Sequence, residues 1–322
     1  MWGLALAFVV LVTLAGLHVE PLMLTAVLAG LCVGSFLNVV VYRLPIILER
    51  EWVRDLRDSV PGHLKAAAVS LGCHATSADT QPDNVDASFS LAVPRSRCPK
   101  CGHPISAVEN IPVVSFIALR GRCHGCRTPI SMRYPLVELF TGALTFLVLA
   151  ILGLTIKGLF VVLVCWVSIA LSLIDLDKLT IPNSLTGALL WGALVASTQN
   201  VLVEPTTAIL GACGGYSVLY VLNFLIKKLT GADSIGQGDF KLLAAIGALV
   251  GATSLPLVLL SGAVGVLVAS GLIATLQRRS LLSLRLPFGP FLMASTVALL
   301  LASEHRLEFA DLVAKLLLGL TF

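Results

Sequence analysis

Of the 322 residues, 57% are apolar and only 40 are charged, 12% of the chain against about 25% in a soluble globular protein, which argues strongly against a water-soluble enzyme. A mean hydropathy of +0.94 excludes a disordered chain, and an aromatic content of 7% gives no hint of a β-barrel. The class that remains is a polytopic helical membrane protein, in which the distribution of charge matters more than the net +4.

A bilayer core of about 30 Å takes roughly 20 apolar residues per helix. Taken in chain order, residues 1–17 are apolar but have no Lys or Arg before them, so they lack the basic start of a cleavable signal peptide and read as an additional helix or as the product of a misplaced start codon. Clear spans follow near 21–41, 136–154, 158–174, 184–198, 207–226 and 288–302, and a long run at 242–276 is split in two by Ser254 and Pro256. Residues 309–322 are short and carry Asp311 and Lys315, as an interfacial segment would. The expected fold is an all-α polytopic membrane protein of eight transmembrane helices, nine if residues 1–17 form another, with a cytoplasmic zinc-binding loop domain. The expected division is 1–42 for the N-terminal membrane segment, 43–135 for the loop domain and 136–322 for the membrane core.

Orientation follows from charge. Of the 22 Lys and Arg residues, 12 lie between Arg43 and Arg133, which places that loop in the cytoplasm. Counting crossings onward returns Asp175, Lys227 to Lys241 and Arg278-Arg279 to the same side, while the opposite loops are poor in Lys and Arg.

Within the loop, residues 59–93 are rich in Ala, Ser, Asp and Pro without a sustained period and read as a loosely ordered insert. After it come Cys98-Pro99-Lys100-Cys101 and, 21 residues on, Cys123-His124-Gly125-Cys126. Two such pairs can place four thiolates around one tetrahedral zinc ion. The plainer alternative is four unconnected or redox thiols, although a cytoplasmic location disfavours disulfides. His103 and His124 then count as neighbours of a shell already complete. Cys32, Cys165 and Cys213 lie in apolar runs and read as small core residues, and Cys73 has no assignment.

Acidic residues are scarce in the membrane half, where a charge at full depth costs at least about 2.5–3.5 kcal/mol. Asp175 ends the span that closes with Leu173-Ile174, and Asp177 and Lys178 follow; Pro182 stops the helix and Asn183 or Ser184 can cap the next. Asp239 lies in Gly236-Gln237-Gly238-Asp239-Phe240-Lys241, where two glycines allow close approach of the backbone. As plain structure, Asp239 is a helix N-cap and Asp175 and Asp177 are loop charges. If Asp175 and Asp239 converge, they repel as anions, and the pair is stable holding one shared proton. One carboxylate then activates a water while the other protonates a scissile carbonyl, which is aspartyl peptide hydrolysis. Nothing in the spacing of residues 64 apart proves that convergence.

Several motifs together resemble the type IV prepilin peptidases, membrane aspartyl proteases of type IV pilus and type II secretion systems. They are Gly34-Ser35-Phe36-Leu37-Asn38-Val39-Val40, Arg43-Leu44-Pro45, Pro94-Arg95-Ser96-Arg97 with the first cysteine pair, Asn110-Ile111-Pro112, and Leu119-Arg120-Gly121-Arg122-Cys123. Further on stand Tyr134-Pro135-Leu136-Val137-Glu138, Ile174-Asp175-Leu176-Asp177, Gly236-x-Gly238-Asp239 and Pro287-Phe288-Gly289-Pro290-Phe291. The resemblance implies that Asp175 and Asp239 are catalytic, with Asp177 a weaker rival and Gly236, Gly238 and Lys241 in support. It also implies zinc on Cys98, Cys101, Cys123 and Cys126. A bifunctional member cleaves a short basic leader after a Gly on prepilins or pseudopilins, then methylates the new N-terminus with S-adenosylmethionine. The implied location is the bacterial inner membrane with the active site facing the cytoplasm, and no nucleic-acid partner is expected. No Gly-rich fingerprint marks a methyl-donor site. The 59–93 insert and residues 1–17 depart from the family pattern. Lys241 is expected either beside Asp239 or in solvent, and Glu138 as a favourable charge at a helix start. Two other functions fit the composition: a transporter using the two acids for cations or protons, and a non-enzymatic assembly scaffold.

Overall fold

The computed structural model describes residues 21–59, 89–231, 236–277 and 286–302. The expectations for residues 1–17, for 309–322, for Arg278 and Arg279, and for most of the 59–93 insert, including Cys73, lie outside the described residues. Among the described residues, nine helices carry the fold: α1 (Pro21–Ser59), α2 (Val114–Ala118), α3 (Arg133–Leu152), α4 (Ile156–Lys178), α5 (Asn183–Ser197), α6 (Pro205–Thr230), α7 (Gln237–Val250), α8 (Leu255–Gln277) and α9 (Gly289–Ala302).

Each expected span falls on one of these helices. Five of them, α1, α3, α4, α6 and α8, are long and apolar enough to cross a bilayer, and α9 is a shorter apolar helix. The 242–276 run breaks where expected: Gly251, at φ 77°, ends α7, and Pro256 stands in the first turn of α8, where its missing N–H costs nothing. At α1 the structure differs from expectation. The helix does not stop at residue 42 but runs through Pro45 to Ser59. At 1.5 Å per residue its 39 residues reach about 58 Å, so nearly half of it projects beyond a bilayer core.

α7 is the centre of the molecule. Phe240 and every residue from Leu242 to Val250 are buried. It packs closely on α6 because glycines face one another: a Cβ on Gly211 or Gly247 would strike the other's carbonyl oxygen, and one on Gly215 would strike that of Leu243. Small residues that bring backbones together replace the hydrophobic drive that lipid cannot supply. The α1–α3 contact follows the same rule, with Gly34 against the Glu138 backbone and Gly142 against Leu31.

Of the cysteines assigned to the core, only Cys165 is buried, whereas Cys32 and Cys213 are exposed. In a bilayer both the core face and the lipid face of a helix are apolar, so hydropathy does not separate them.

Candidate active site and metal centre

Asp175 occupies the last turn of α4 and is 4% exposed. That turn closes on Leu179, whose φ of 53° is left-handed and whose N–H donates to the Asp175 carbonyl at 2.8 Å. The side chain is held from elsewhere: the backbone N–H of Gly289, the first residue of α9, donates to Asp175 Oδ2 at 3.1 Å. Asp239 lies in the first turn of α7, which is capped by Gly236. Asp239 is therefore not the N-cap, and its own N–H donates to the Gly236 carbonyl at 3.1 Å. The two carboxylates, 64 residues apart in sequence, lie close enough to interact electrostatically.

Ile181, in the link after α4, packs against the starts of both α7 and α9. A Cβ on Gly238 would lie 3.0 Å from Ile181 Cβ, and one on Gly289 would lie 3.6 Å from Ile181 Cδ1. Gly236 has φ −66°, so neither it nor helical Gly238 is needed for an unusual backbone; close approach is what both glycines permit.

Two supporting side chains have partners other than those expected. Lys241 Nζ donates to Asn183 Oδ1 at 2.8 Å, and no ion pair with Asp239 occurs among the described residues. Asn183 does not cap α5, whose N-cap is Pro182 without a side-chain bond; its amide oxygen instead fastens the start of α7 to the start of α5. Asp177 is paired with Arg133: Nη1 donates to Oδ1 at 2.9 Å, and Nη2 stands 2.7 Å from Oδ2. Its carboxylate is thus engaged at the exposed rim, while that of Asp175 points inward.

The four cysteines of the loop converge. Cys98 Sγ is 3.8 Å from Cys126 Sγ, Cys101 Sγ is 3.9 Å from Cys123 Sγ, and all four sulfurs lie within 4.8 Å of one another. A tetrahedral zinc with bonds of about 2.3 Å sets its sulfurs about 3.8 Å apart, so the cluster fits that ion. Protonation chemistry agrees. The Thr128 hydroxyl and backbone hold the Cys126 thiol down to about 6, and backbone bonds from Cys101 and Lys100 lower Cys98. The His103 backbone pulls Cys101 down, but desolvation and the facing sulfurs outweigh it and push that thiol up to about 11, a crowding that a divalent cation relieves.

The two cysteine pairs form matching hairpins. Arg97 bridges to Pro104 and Arg122 to Pro129; Cys98 N–H bonds to the His103 carbonyl and Cys123 N–H to that of Thr128; Gly102 and Arg127 both take positive φ. The signal was present in the sequence as Arg-Cys-x-x-Cys-x-x-Pro-Ile-Ser at 97–106 and again at 122–131. His103 and His124 face Glu109 and not the sulfurs, with His103 Nε2 3.1 Å and His124 Nδ1 3.8 Å from Glu109 Oε1. The Ser106 backbone and hydroxyl, then His103, hold the Glu109 carboxyl down to about 2.

Two polar anchors that sequence reasoning missed tie this loop to the membrane helices. Arg43, only 7% exposed, donates to the carbonyls of Ser90 at 2.9 Å, Leu91 at 3.4 Å and Pro94 at 2.7 Å, and with Arg50 it lies over the Phe89 ring. Glu138 is the sixth residue of α3, too far from its start for the expected dipole role, and its Oε2 accepts the Val113 N–H at 2.7 Å. Both residues stand in motifs of the resemblance, but an arginine at the edge of an apolar run and an acid inside one gave no sign of these partners.

A family model described as the bacterial peptidase A24 N-terminal domain matches residues 28–152, and the model of the type IV leader peptidase family matches residues 162–273. A prepilin leader peptidase/N-methyltransferase of Aeromonas salmonicida (strain A449) is 46% identical over 275 residues, 85% of this chain and 88% of that protein. Proteins of the same name from Burkholderia pseudomallei (strain 1026b) and Stutzerimonas stutzeri are 44% and 40% identical, covering 85% and 90% of this chain and 84% and 95% of their own length. No solved structure matches. On these matches the chain belongs to the type IV leader peptidase family.

Proposed function

We propose that the chain is a bifunctional membrane enzyme that cleaves the leader from type IV prepilins or type II secretion pseudopilins and then N-methylates the new N-terminus. What supports the peptidase half is that Asp175, at the end of α4, and Asp239, at the start of α7, lie close enough to interact electrostatically, with Ile181 packed against both Gly238 and Gly289. Two acids that share one proton can perform hydrolysis without a cofactor. The ionised carboxylate takes a proton from water as its oxygen attacks the scissile carbonyl, and the other carboxyl donates to the carbonyl oxygen. Collapse of the tetrahedral species then breaks the C–N bond, with the proton taken from water passed to the departing amine. Asp177, already engaged by Arg133, is the less suited partner.

This reading has eight spans in the bacterial inner membrane, and the charge distribution supports an orientation with the acids and the cysteine loop on the cytoplasmic side. Cys98, Cys101, Cys123 and Cys126 would hold the zinc, which supplies a cross-link and no chemistry at the peptide bond. The functional units of this reading are 1–42, 43–135 and 136–322, with α1 running across the first boundary to Ser59. S-adenosylmethionine is the methyl donor of this reading. A cavity of about 600 Å³ bordered by Ala118, Leu119, Arg120, Arg122 and Arg127 lies on the loop, but three guanidinium-bearing side chains suit an anion and not a sulfonium cation, so no methyl-transfer step is assigned to it.

The test is to incubate the purified protein with a prepilin and read the product N-terminus by mass spectrometry. A shortened chain carrying one added methyl group is expected. Full processing by Asp175→Asn would overturn the assignment of Asp175 and Asp239 as the catalytic pair, and absence of processing by the natural protein would favour a transporter or scaffold.

A further inference from the structure

We propose that Gly289 is a positioning residue for the peptidase: its backbone N–H fixes the Asp175 carboxylate, and its missing side chain is what allows α9 to come that close. The inference rests on the aspartyl dyad reading above. Two separate observations carry it. The first is the hydrogen bond from Gly289 N to Asp175 Oδ2, at 3.1 Å and buried, joining residues 114 apart in sequence. The second is steric: a Cβ on Gly289 would lie 2.6 Å from Asp175 Oδ2 and 3.4 Å from Asp175 Cγ, so any other residue displaces the carboxylate.

The position of Gly289 in α9 explains why this donor is available. It is the first residue of the helix, and N–H groups of a first turn have no acceptor within their own helix. Such a donor pointed at a carboxylate satisfies both groups, and the partial positive charge of the helix end adds to the attraction. Asp175 Oδ2 is thereby committed, while Oδ1 accepts no hydrogen bond among the described residues and is left for water or for Asp239. Pro287 and Pro290 flank the donor; neither carries an N–H, so Gly289 and Phe288 are the only donors from 287 to 290. Gly289 does not touch the peptide being cut in this scheme. It acts through Asp175, and a misplacement of about 1 Å at a reacting group can cost about 100-fold in rate.

Gly289→Ala should lower kcat for leader cleavage about 100-fold or more while KM stays within about threefold, because the reacting geometry and not substrate binding is disturbed. Zinc content and methylation of an already cleaved pilin peptide should be retained, which shows the variant folded. Cleavage by Gly289→Ala within about threefold of the natural protein would overturn the inference. A second measurement does not depend on that variant: hydrogen–deuterium exchange followed by mass spectrometry on the segment 286–290, comparing the natural chain with Asp175→Ala. The Gly289 amide should exchange at least about tenfold faster once its acceptor is gone. Unchanged exchange would overturn the inference even if Gly289→Ala is too unstable to assay. Cleavage by Asp175→Asn would instead strike the dyad reading, so the two failures are distinguishable.

Discussion

The cysteine loop and the aspartate pair bring together four groups and two groups by opposite routes. In the loop, each hairpin sets two sulfurs within a few residues of each other, and only one longer closure, from Cys101 to Cys123, brings the pairs together. In the membrane core, nothing local brings Asp175 near Asp239. Their meeting depends on α7 being wrapped by its neighbours, on glycine contacts along α6, on Ile181 seated beside Gly238 and on α9 presenting Gly289. A local cluster announces itself by spacing, whereas a cluster built by helix packing shows only as isolated acids in an apolar sequence.

That contrast can be broken at either end. The largest effect is expected from Asp175→Asn or Asp239→Asn, which should reduce leader cleavage by about 1,000-fold or more while the protein inserts and melts normally in detergent. Mass spectrometry of the prepilin product checks this. Next comes Cys98→Ser, which should release zinc from the purified protein and impair methylation more than cleavage; metal analysis with the two product assays separates these outcomes, and a zinc-free natural protein would reject the metal assignment. Arg43→Ala removes a buried guanidinium and leaves three carbonyls without a donor, so the contact between α1 and residues 89–94 should weaken by about 2–4 kcal/mol. Faster proteolysis or amide exchange in residues 89–94 would report that loss. The smallest effect is expected from Asp177→Asn. Its pair with Arg133 is formed by side chains 35% and 41% exposed, so the cost in stability should stay below about 1 kcal/mol, and cleavage should persist. Loss of cleavage in Asp177→Asn with Asp175 intact would contradict the division of labour between the two acids.

How far the sequence was legible follows the same line. Apolar runs bounded by charge and proline located the described membrane helices, and even the break between α7 and α8, because lipid demands continuous apolar segments and Pro256 cannot sit mid-helix. Cysteine spacing located the convergent thiol cluster because four thiolates that could share one ion need that separation. What stayed hidden depends on which face of a helix looks inward. Cys32 and Cys213 were assigned to the core and lie outside it, since a lipid face is as apolar as a packed one. Lys241 was weighed against Asp239 from its nearness in sequence, while Asn183, far away in the chain, accepts its hydrogen bond. Arg43 was counted as a topological charge, yet it is buried against backbone carbonyls. The extension of α1 to Ser59 was masked by Pro45, which usually marks a boundary and here does not.

The twofold likeness of the hairpins at 97–106 and 122–131 has a consequence for assembly. Either half alone offers two thiolates, too few to retain a zinc ion against solvent, so neither should order by itself when made as a peptide. A bound ion would work as a staple driven through two leaves at once, and pulling any one prong should loosen both. Formation of this loop should therefore be all-or-none, complete only when the second hairpin has left the ribosome.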